Sequence, residues 1–215
     1  MPNLAIDILY IDECIVVLNK PAWLLSVPGR GPEKQDSLAS RVQAQYPRAQ
    51  NVHRLDCATS GVIVMALTRS AHRELSRQFH DREIRKTYTA IGIGKPKEKA
   101  GTINFPLIAD WPNRPKQKVD IESGKQATTH WQASDTITAS SGEPATRFTL
   151  NPITGRSHQL RVHLLELGHP ILGDRLYAPP SVIELSKRLL LHATQLTLSH
   201  PTSGESMQFN CPCPF

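Results

Sequence analysis

No apolar run in this 215-residue chain approaches a membrane span: the longest, such as residues 62–67, fall far short of the roughly 18 residues a helix needs to cross a bilayer. Residues 1–13 hold Asp7, Asp12 and Glu13 and no Lys or Arg, the reverse of the basic start of a secretory signal, so a cytoplasmic protein is expected. Cysteine is scarce. Of Cys14, Cys57, Cys211 and Cys213 only the last two are neighbours, as C-x-C, and there is no C-x-x-C pair. Structural zinc usually takes two closely spaced ligand pairs, so free thiols in a reducing compartment are expected and no metal. Repeats and low-complexity tracts are also missing, and 215 residues at 39% hydrophobic suffice to bury one core, so a single domain spanning 1–215 is expected.

Acidic residues are in deficit. Lys and Arg number 25 against 19 Asp and Glu, a net charge of +6 that points to a polyanionic partner without fixing a fold. Residues 1–50 are balanced, five basic against five acidic. Between residues 69 and 97 the chain carries Arg69, Arg73, Arg77, Arg82, Arg85, Lys86, Lys95 and Lys97 against Glu74, Asp81 and Glu83, which accounts for nearly the whole excess. This stretch opens as a helix capped by Ser70, with Ala71, Leu75 and Phe79 on one face and Arg69, Arg73 and Arg77 on another. A solvated basic face would look the same, but its coincidence with the charge excess favours a phosphate-binding surface. A second basic group, Arg114, Lys116 and Lys118, follows Trp111, Pro112 and Pro115 and suits a loop that grips a nucleic acid backbone.

The remaining patterning is mixed. Residues 8–10 and 15–19 read as strands around an Asp12-Glu13 turn, Asp36 as the cap of a helix through Gln45, and residues 62–67 and 86–93 as strands. In the last of these, Tyr88, Ala90 and Gly92 share a face, and the small residues leave space beside the tyrosine. Strands are also expected at 128–132, 146–151, 193–198 and 207–210, and a helix at 157–167 ending on Gly168, with Leu160, Leu164 and Leu167 as its apolar stripe. Residues 21–34, rich in Pro and Gly, read as a long loop. Strands outnumber helices without strict alternation, which gives an α+β class around a largely antiparallel sheet.

Three constellations could carry chemistry. In His53-Arg54-Leu55-Asp56, followed by a Thr59-Ser60-Gly61 turn, Arg54 and Asp56 alternate around Leu55; a surface ion pair is the plain alternative. In Gly155-Arg156-Ser157-His158-Gln159-Leu160-Arg161, His158 and Arg161 lie three apart on one helix face; the plain alternative is a helix start with surface cations. The third is Lys86-Thr87-Tyr88, whose tyrosine would otherwise be a half-buried core residue. His158, His163 and His169 lack the i, i+4 spacing that puts two metal ligands on one helix face, so some of them are expected to bond backbone or phosphate.

In this order, and with Gly168-His169-Pro170-Ile171-Leu172-Gly173-Asp174, these segments resemble the RluA-type pseudouridine synthases, from Asn19-Lys20-Pro21 to Leu191-His192-Ala193. The loops Leu25-Ser26-Val27-Pro28-Gly29-Arg30 and Trp111 to Lys118 are similar to those of the small members that act on both 23S ribosomal RNA and tRNA. The resemblance implies the pseudouridine synthase catalytic fold, a mixed sheet flanked by helices and long loops with a central cleft, and no N-terminal S4 domain. It implies an isomerase of structured RNA that needs no cofactor, and a monomer suits a chain whose basic surface must embrace RNA. Asp56 matches the catalytic aspartate, Tyr88 the tyrosine against the target base, Arg161 the arginine paired with the aspartate, and Arg54 the arginine that enters the stack the uridine has left. His53, Arg73, Arg77, Arg114, Lys116, Arg156 and His158 complete the expected RNA-binding set. An ionised carboxylate in a base-sized pocket needs a nearby guanidinium, because burial alone would raise its pKa. Asp56 would then add covalently to base or sugar, or act as a base on the sugar to form a glycal. An RNA N-glycosylase and a noncatalytic RNA-binding module on the same scaffold are the alternatives.

Overall fold

The computed structural model describes residues 5–139 and 141–215, which fall into two compact units: one running to Lys86 and including Ala193–Pro214, the other Thr87–His192 with Phe215. Along the chain run β1 (Asp7–Ile11), β2 (Ile15–Lys20), α1 (Leu38–Gln45), β3 (Gln50–Asn51), β4 (Ser60–Ala66), α2 (Arg69–His80) and β5 (Arg85–Ile93). They continue as β6 (Ala100–Ile103), β7 (Leu107–Ala109), β8 (Gln117–Val119), β9 (Thr129–Thr138), β10 (Pro144–Pro152), α3 (Gln159–Glu166), α4 (Pro180–Ile183), β11 (Leu191–Ser199) and β12 (Ser206–Asn210). The class is α+β, as the sequence predicts.

In the first unit the strands lie in the order β1-β2-β4-β11, with β12 on β11 and β3 on β4. Ile15 to Leu18 of β2 and the whole of β4 are buried, so these unbroken apolar runs are strands covered on both faces, while β1 alternates exposed and half-buried as an edge does. The Asp12 carboxylate closes the β1–β2 turn by accepting the N–H groups of Cys14 (2.7 Å) and Ile15 (2.8 Å). Two caps sit beside the expected positions. Ser37, not Asp36, begins α1: its hydroxyl accepts Ser40 N–H at 3.1 Å while Ser40 Oγ accepts Ser37 N–H at 2.9 Å. Ser37 is fully buried and Leu38 is inserted in the core, so this helix start needs an internal acceptor, and Asp36 instead pairs with Arg41 at 2.7 Å. Thr68, not Ser70, caps α2 by accepting Ala71 N–H. On that helix Ala71 and Leu75 are buried as expected, but Gln78 takes the third buried place, exchanging hydrogen bonds with both backbone groups of Ser199.

The expected Thr59-Ser60-Gly61 turn is replaced by one at residues 56–59, closed by Thr59 N–H on Asp56 O at 3.1 Å, and Ser60 and Gly61 are already in β4. With φ of +115° and a would-be Cβ 2.2 Å from Ala193 O, this glycine allows β4 and β11 an approach no side chain would permit.

In the second unit β5, β10, β9 and β6 pair antiparallel, with Tyr88 opposite Leu150, and β7–β8 form a separate hairpin. The predicted space beside Tyr88 closes at Gly92, where a Cβ would stand 2.7 Å from His169 O and 3.1 Å from Phe148. Helix α3 starts two residues later than predicted, with His158 at its cap in the left-handed region (φ 55°) and Gly168 beyond its end at φ 87°. It carries no exposed cationic face: Gln159 through Leu164 are all buried, Arg161 included.

Candidate active site

Residues 51–59 hold their shape through bonds to main-chain atoms. His53 stacks on Phe79 of α2 (centroids 4.5 Å apart, planes at 26°), and its Nε2 accepts Val64 N–H of β4 at 3.1 Å. Ser26 Oγ donates to Leu55 O at 2.7 Å and accepts Leu55 N–H at 3.1 Å, holding that buried residue from both sides. Cys57 O accepts Trp23 N–H at 2.8 Å and Lys20 Nζ at 3.1 Å. Lys20 is fully buried, and its ammonium also donates to Pro21 O at 2.8 Å and Leu24 O at 2.7 Å, so one cation ties the loop after β2 to the turn after Asp56. Between these anchors lie Arg54, exposed, and Asp56, half-buried.

His53, expected to meet substrate, is therefore committed to the scaffold. Burial, with Lys86 adding repulsion, pushes its imidazole down to about 3, so it stays neutral with Nε2 as an acceptor. In the unfolded chain the same ring takes a proton near pH 6.5. This contribution to stability is thus complete above pH 6.5 and is lost as pH falls toward 3, at up to about 1.4 kcal/mol per pH unit. Urea unfolding between pH 7 and pH 5 is expected to give a steeper loss for the wild type than for His53→Gln; parallel slopes would refute the assignment.

The cations of α2 divide. Arg77 is enclosed by Glu74 (2.7 Å), Asp81 (2.9 Å) and Glu83 (2.6 Å), and these carboxylates raise its already high pKa. Arg69 and Arg73 are exposed, form no ion pair among the described residues, and line a surface hollow with Ser70 and His72.

In the second unit Tyr88 is half-buried on β5. The Trp111 to Lys118 stretch is the tip and returning strand of the β7–β8 hairpin, with Arg114 over the Trp111 ring at 3.8 Å and the indole 64% exposed. Arg156 is exposed and bonds Gln126 O through Nε at 3.1 Å. Arg161, read in the sequence as projecting with His158, forms a two-pronged buried pair with Asp174, Nε to Oδ2 at 2.8 Å and Nη2 to Oδ1 at 2.6 Å. Asp174 Oδ1 also accepts the N–H groups of Leu176 (3.0 Å) and Tyr177 (3.3 Å). The α3 start is packed by a polar chain: Gln159 accepts from Thr154 Oγ1 and Arg156 N and donates to Thr128 O and Thr129 Oγ1. Lys20, Ser26, Asp174, Tyr177 and Gln159 carry this support, and sequence reasoning singled out none of them; only the quoted motifs around Lys20, Ser26, Gln159 and Asp174 held a signal.

Of the three histidines, His163 and His169 bond main-chain carbonyls as expected, whereas His158 Nδ1 meets the Tyr177 hydroxyl at 2.6 Å. His163, kept neutral by burial, bridges Thr129 Oγ1 and Phe105 O, and His169 Nδ1 bonds Ile93 O at 2.8 Å. Among the described residues one group, Asp12, Cys14 and His200, brings three metal-type ligand atoms within 4.8 Å of one another. His200 Nδ1 accepts Ser203 N–H at 3.1 Å, which leaves the proton on Nε2, facing Asp12 Oδ2 at 3.1 Å. That tautomer turns a donor rather than a lone pair toward the group, so it acts as a clamp on the β1–β2 turn.

The RNA pseudouridylate synthase family model matches residues 14–166. A protein of Escherichia coli strain K12 named dual-specificity RNA pseudouridine synthase RluA is 55% identical over 208 residues, 97% of this chain and 93% of its own. The Yersinia pestis protein of that name is also 55% identical, over 97% of this chain and 99% of its own. Among solved structures, human RNA pseudouridylate synthase domain containing 1 superposes with a TM-score of 0.83 at 28% identity, covering 98% of this chain and 84% of that one. Its human relative domain containing 4 gives 0.74 at 26% identity, covering 97% and 88%.

Proposed function

The chain belongs to the RNA pseudouridylate synthase family and is an RNA isomerase, and from that premise we propose that it converts stem-loop uridines of both 23S ribosomal RNA and tRNA, using Asp56, Tyr88 and Arg161. The dual range follows the name carried by its relatives at 55% identity and the likeness of the loops at residues 25–30 and 111–118. The observation that supports Asp56 is the anchored segment 51–59, in which His53, Leu55 and Cys57 are each held by the scaffold on either side of Arg54 and Asp56.

The reaction breaks the bond from N1 of uracil to C1′, turns the ring, and joins C5 to C1′. The C5 proton leaves and N1 gains one, so composition is unchanged. A loop uridine must first leave its stack, at a cost of a few kcal/mol that Arg54 offsets by filling the gap. Asp56 acts on base or sugar, Arg161 supplies the counter-charge that keeps a carboxylate ionised, and Tyr88 is a flat, unreactive wall for the detached ring. Both units together serve as one monomeric catalytic domain working in the cytoplasm, in keeping with four free cysteines. Incubation with 23S and tRNA stem-loops, followed by nucleoside chromatography, tests the reading: pseudouridine from both supports it, free uracil overturns the chemistry, and product from one class only overturns the dual range.

The RNA surface of α2 centres on Arg69 and Arg73. Arg73→Gln is expected to weaken binding and flatten the dependence of log affinity on log salt by about 0.7 to 0.9. Arg77→Gln should change that slope much less, since three carboxylates already oppose its charge. Equal slopes for both variants in filter binding would return Arg73 to a plain solvated face.

A further inference from the structure

Tyr177 belongs to no motif used above, yet three separate elements of the second unit meet on it. Its hydroxyl accepts Gln117 N–H at 2.8 Å, at the residue where the loop of the β7–β8 hairpin re-enters β8. The same oxygen lies 2.6 Å from His158 Nδ1, at the cap of α3, and the two rings meet edge to face. The face of its ring carries the Arg161 guanidinium, 5.0 Å from the centroid, and its own N–H is held by Asp174, the partner of Arg161. The hydrocarbon part of the ring packs with Val119 on the cluster formed by Leu107, Ala127 and Val162, which join hairpin to helix.

One side chain therefore touches the base of the hairpin, the helix cap and the plane of the arginine. His158 makes the contact from a left-handed backbone conformation, uncommon for a residue with a Cβ and maintained only where the surroundings impose it. The 2.6 Å bond to Tyr177 is such a constraint, and the carbonyl of His158 in turn accepts the N–H of Arg161 at 3.1 Å. Displacing the hairpin base moves the Tyr177 oxygen, and with it the first turn of α3 and the wall against which Arg161 lies.

We propose that Tyr177 is a positioning residue that couples the Trp111–Arg114 hairpin to Arg161, so that engagement of the hairpin by RNA and alignment of the arginine occur together. This rests on the hairpin's being an RNA-binding element and Arg161 part of the catalytic set. The hydroxyl and the ring have separable tasks: the hydroxyl ties down hairpin and helix cap, and the ring aligns the guanidinium.

The experiment uses the full chain with a stem-loop RNA substrate. Tyr177→Phe keeps the ring and every apolar contact. It is expected to raise KM about tenfold, the worth of a hydrogen-bond pair, while kcat falls by less than about threefold. Tyr177→Leu removes the arginine's wall and is expected to lower kcat at least about tenfold. Combining Tyr177→Phe with Trp111→Ala should give a KM no worse than about twice that of the poorer single variant, because both act through one element. A purely structural tyrosine would give additive penalties and no KM-against-kcat split, and that result would overturn the proposal. Independently of turnover, amide hydrogen exchange at Gln117 should accelerate about tenfold or more in Tyr177→Phe, and unchanged exchange would also overturn it. If the wild-type protein forms no pseudouridine, the functional reading falls, while the exchange measurement still decides whether the Tyr177 hydroxyl holds the hairpin base.

Discussion

Asp56→Asn is expected to reduce pseudouridine formation at least about a thousandfold while RNA affinity stays within about twofold. Asn has the volume of Asp but neither a lone pair basic enough to take a sugar proton nor an oxygen able to attack carbon. The turn is unaffected, because its closing bond runs from Thr59 N–H to the main-chain carbonyl of residue 56. The anchors at His53, Leu55 and Cys57 likewise do not involve the carboxylate. Release of tritium from 5-tritiated uridine in a stem-loop reads the chemistry directly, since the C5 hydrogen is the atom lost. Turnover near the wild-type rate would remove Asp56 from the mechanism, and a parallel collapse of RNA binding would recast it as a binding residue.

The second large effect concerns stability. Asp174→Ala leaves the Arg161 guanidinium, whose side chain is only 5% exposed, without its two-pronged partner. Removing one member of a buried ion pair typically costs about 3 to 5 kcal/mol, because the survivor remains desolvated. For a chain of this size that is roughly 10 °C in melting temperature. The N–H groups of Leu176 and Tyr177 lose their acceptor as well. Replacing both partners, Arg161→Leu with Asp174→Leu, is expected to restore most of the melting temperature but no pseudouridine formation. That contrast separates the pair's structural role from the arginine's chemical one. A double variant as unstable as Asp174→Ala would show that packing, not charge burial, sets the cost.

The sequence made β2, β4 and β5 legible because long runs of β-branched and apolar residues have few other folded outcomes. Asp56, Tyr88 and Arg161 are singled out only through a resemblance; residue chemistry alone leaves each with a plain alternative. The cap positions slipped by one or two residues because Asp36 and Ser37, or Thr68 and Ser70, are equally competent acceptors locally, and burial of the first turn decides between them. Strands β3, β6, β7 and β8 are two to four residues long, too short for a period-two pattern to emerge. The burial of Arg161 depends on Asp174, thirteen residues away in a segment with no periodicity, and no local rule joins them. Lys20, at the end of an apolar strand, reads as the polar residue that ends it, and the carbonyls of Pro21, Leu24 and Cys57 that accept from its ammonium are not legible there.

The anchoring of residues 53–57 is sorted by parity. Odd positions, His53, Leu55 and Cys57, are held through Val64 N–H, Ser26 and Lys20, while of the even positions Arg54 is exposed and Asp56 half-buried. A segment built this way takes its shape from bonds at alternate residues, two of the three made by main-chain atoms and the third by the His53 ring. What it cannot absorb is a change of count: one residue inserted or deleted between His53 and Cys57 puts a different residue at one or more of these anchors.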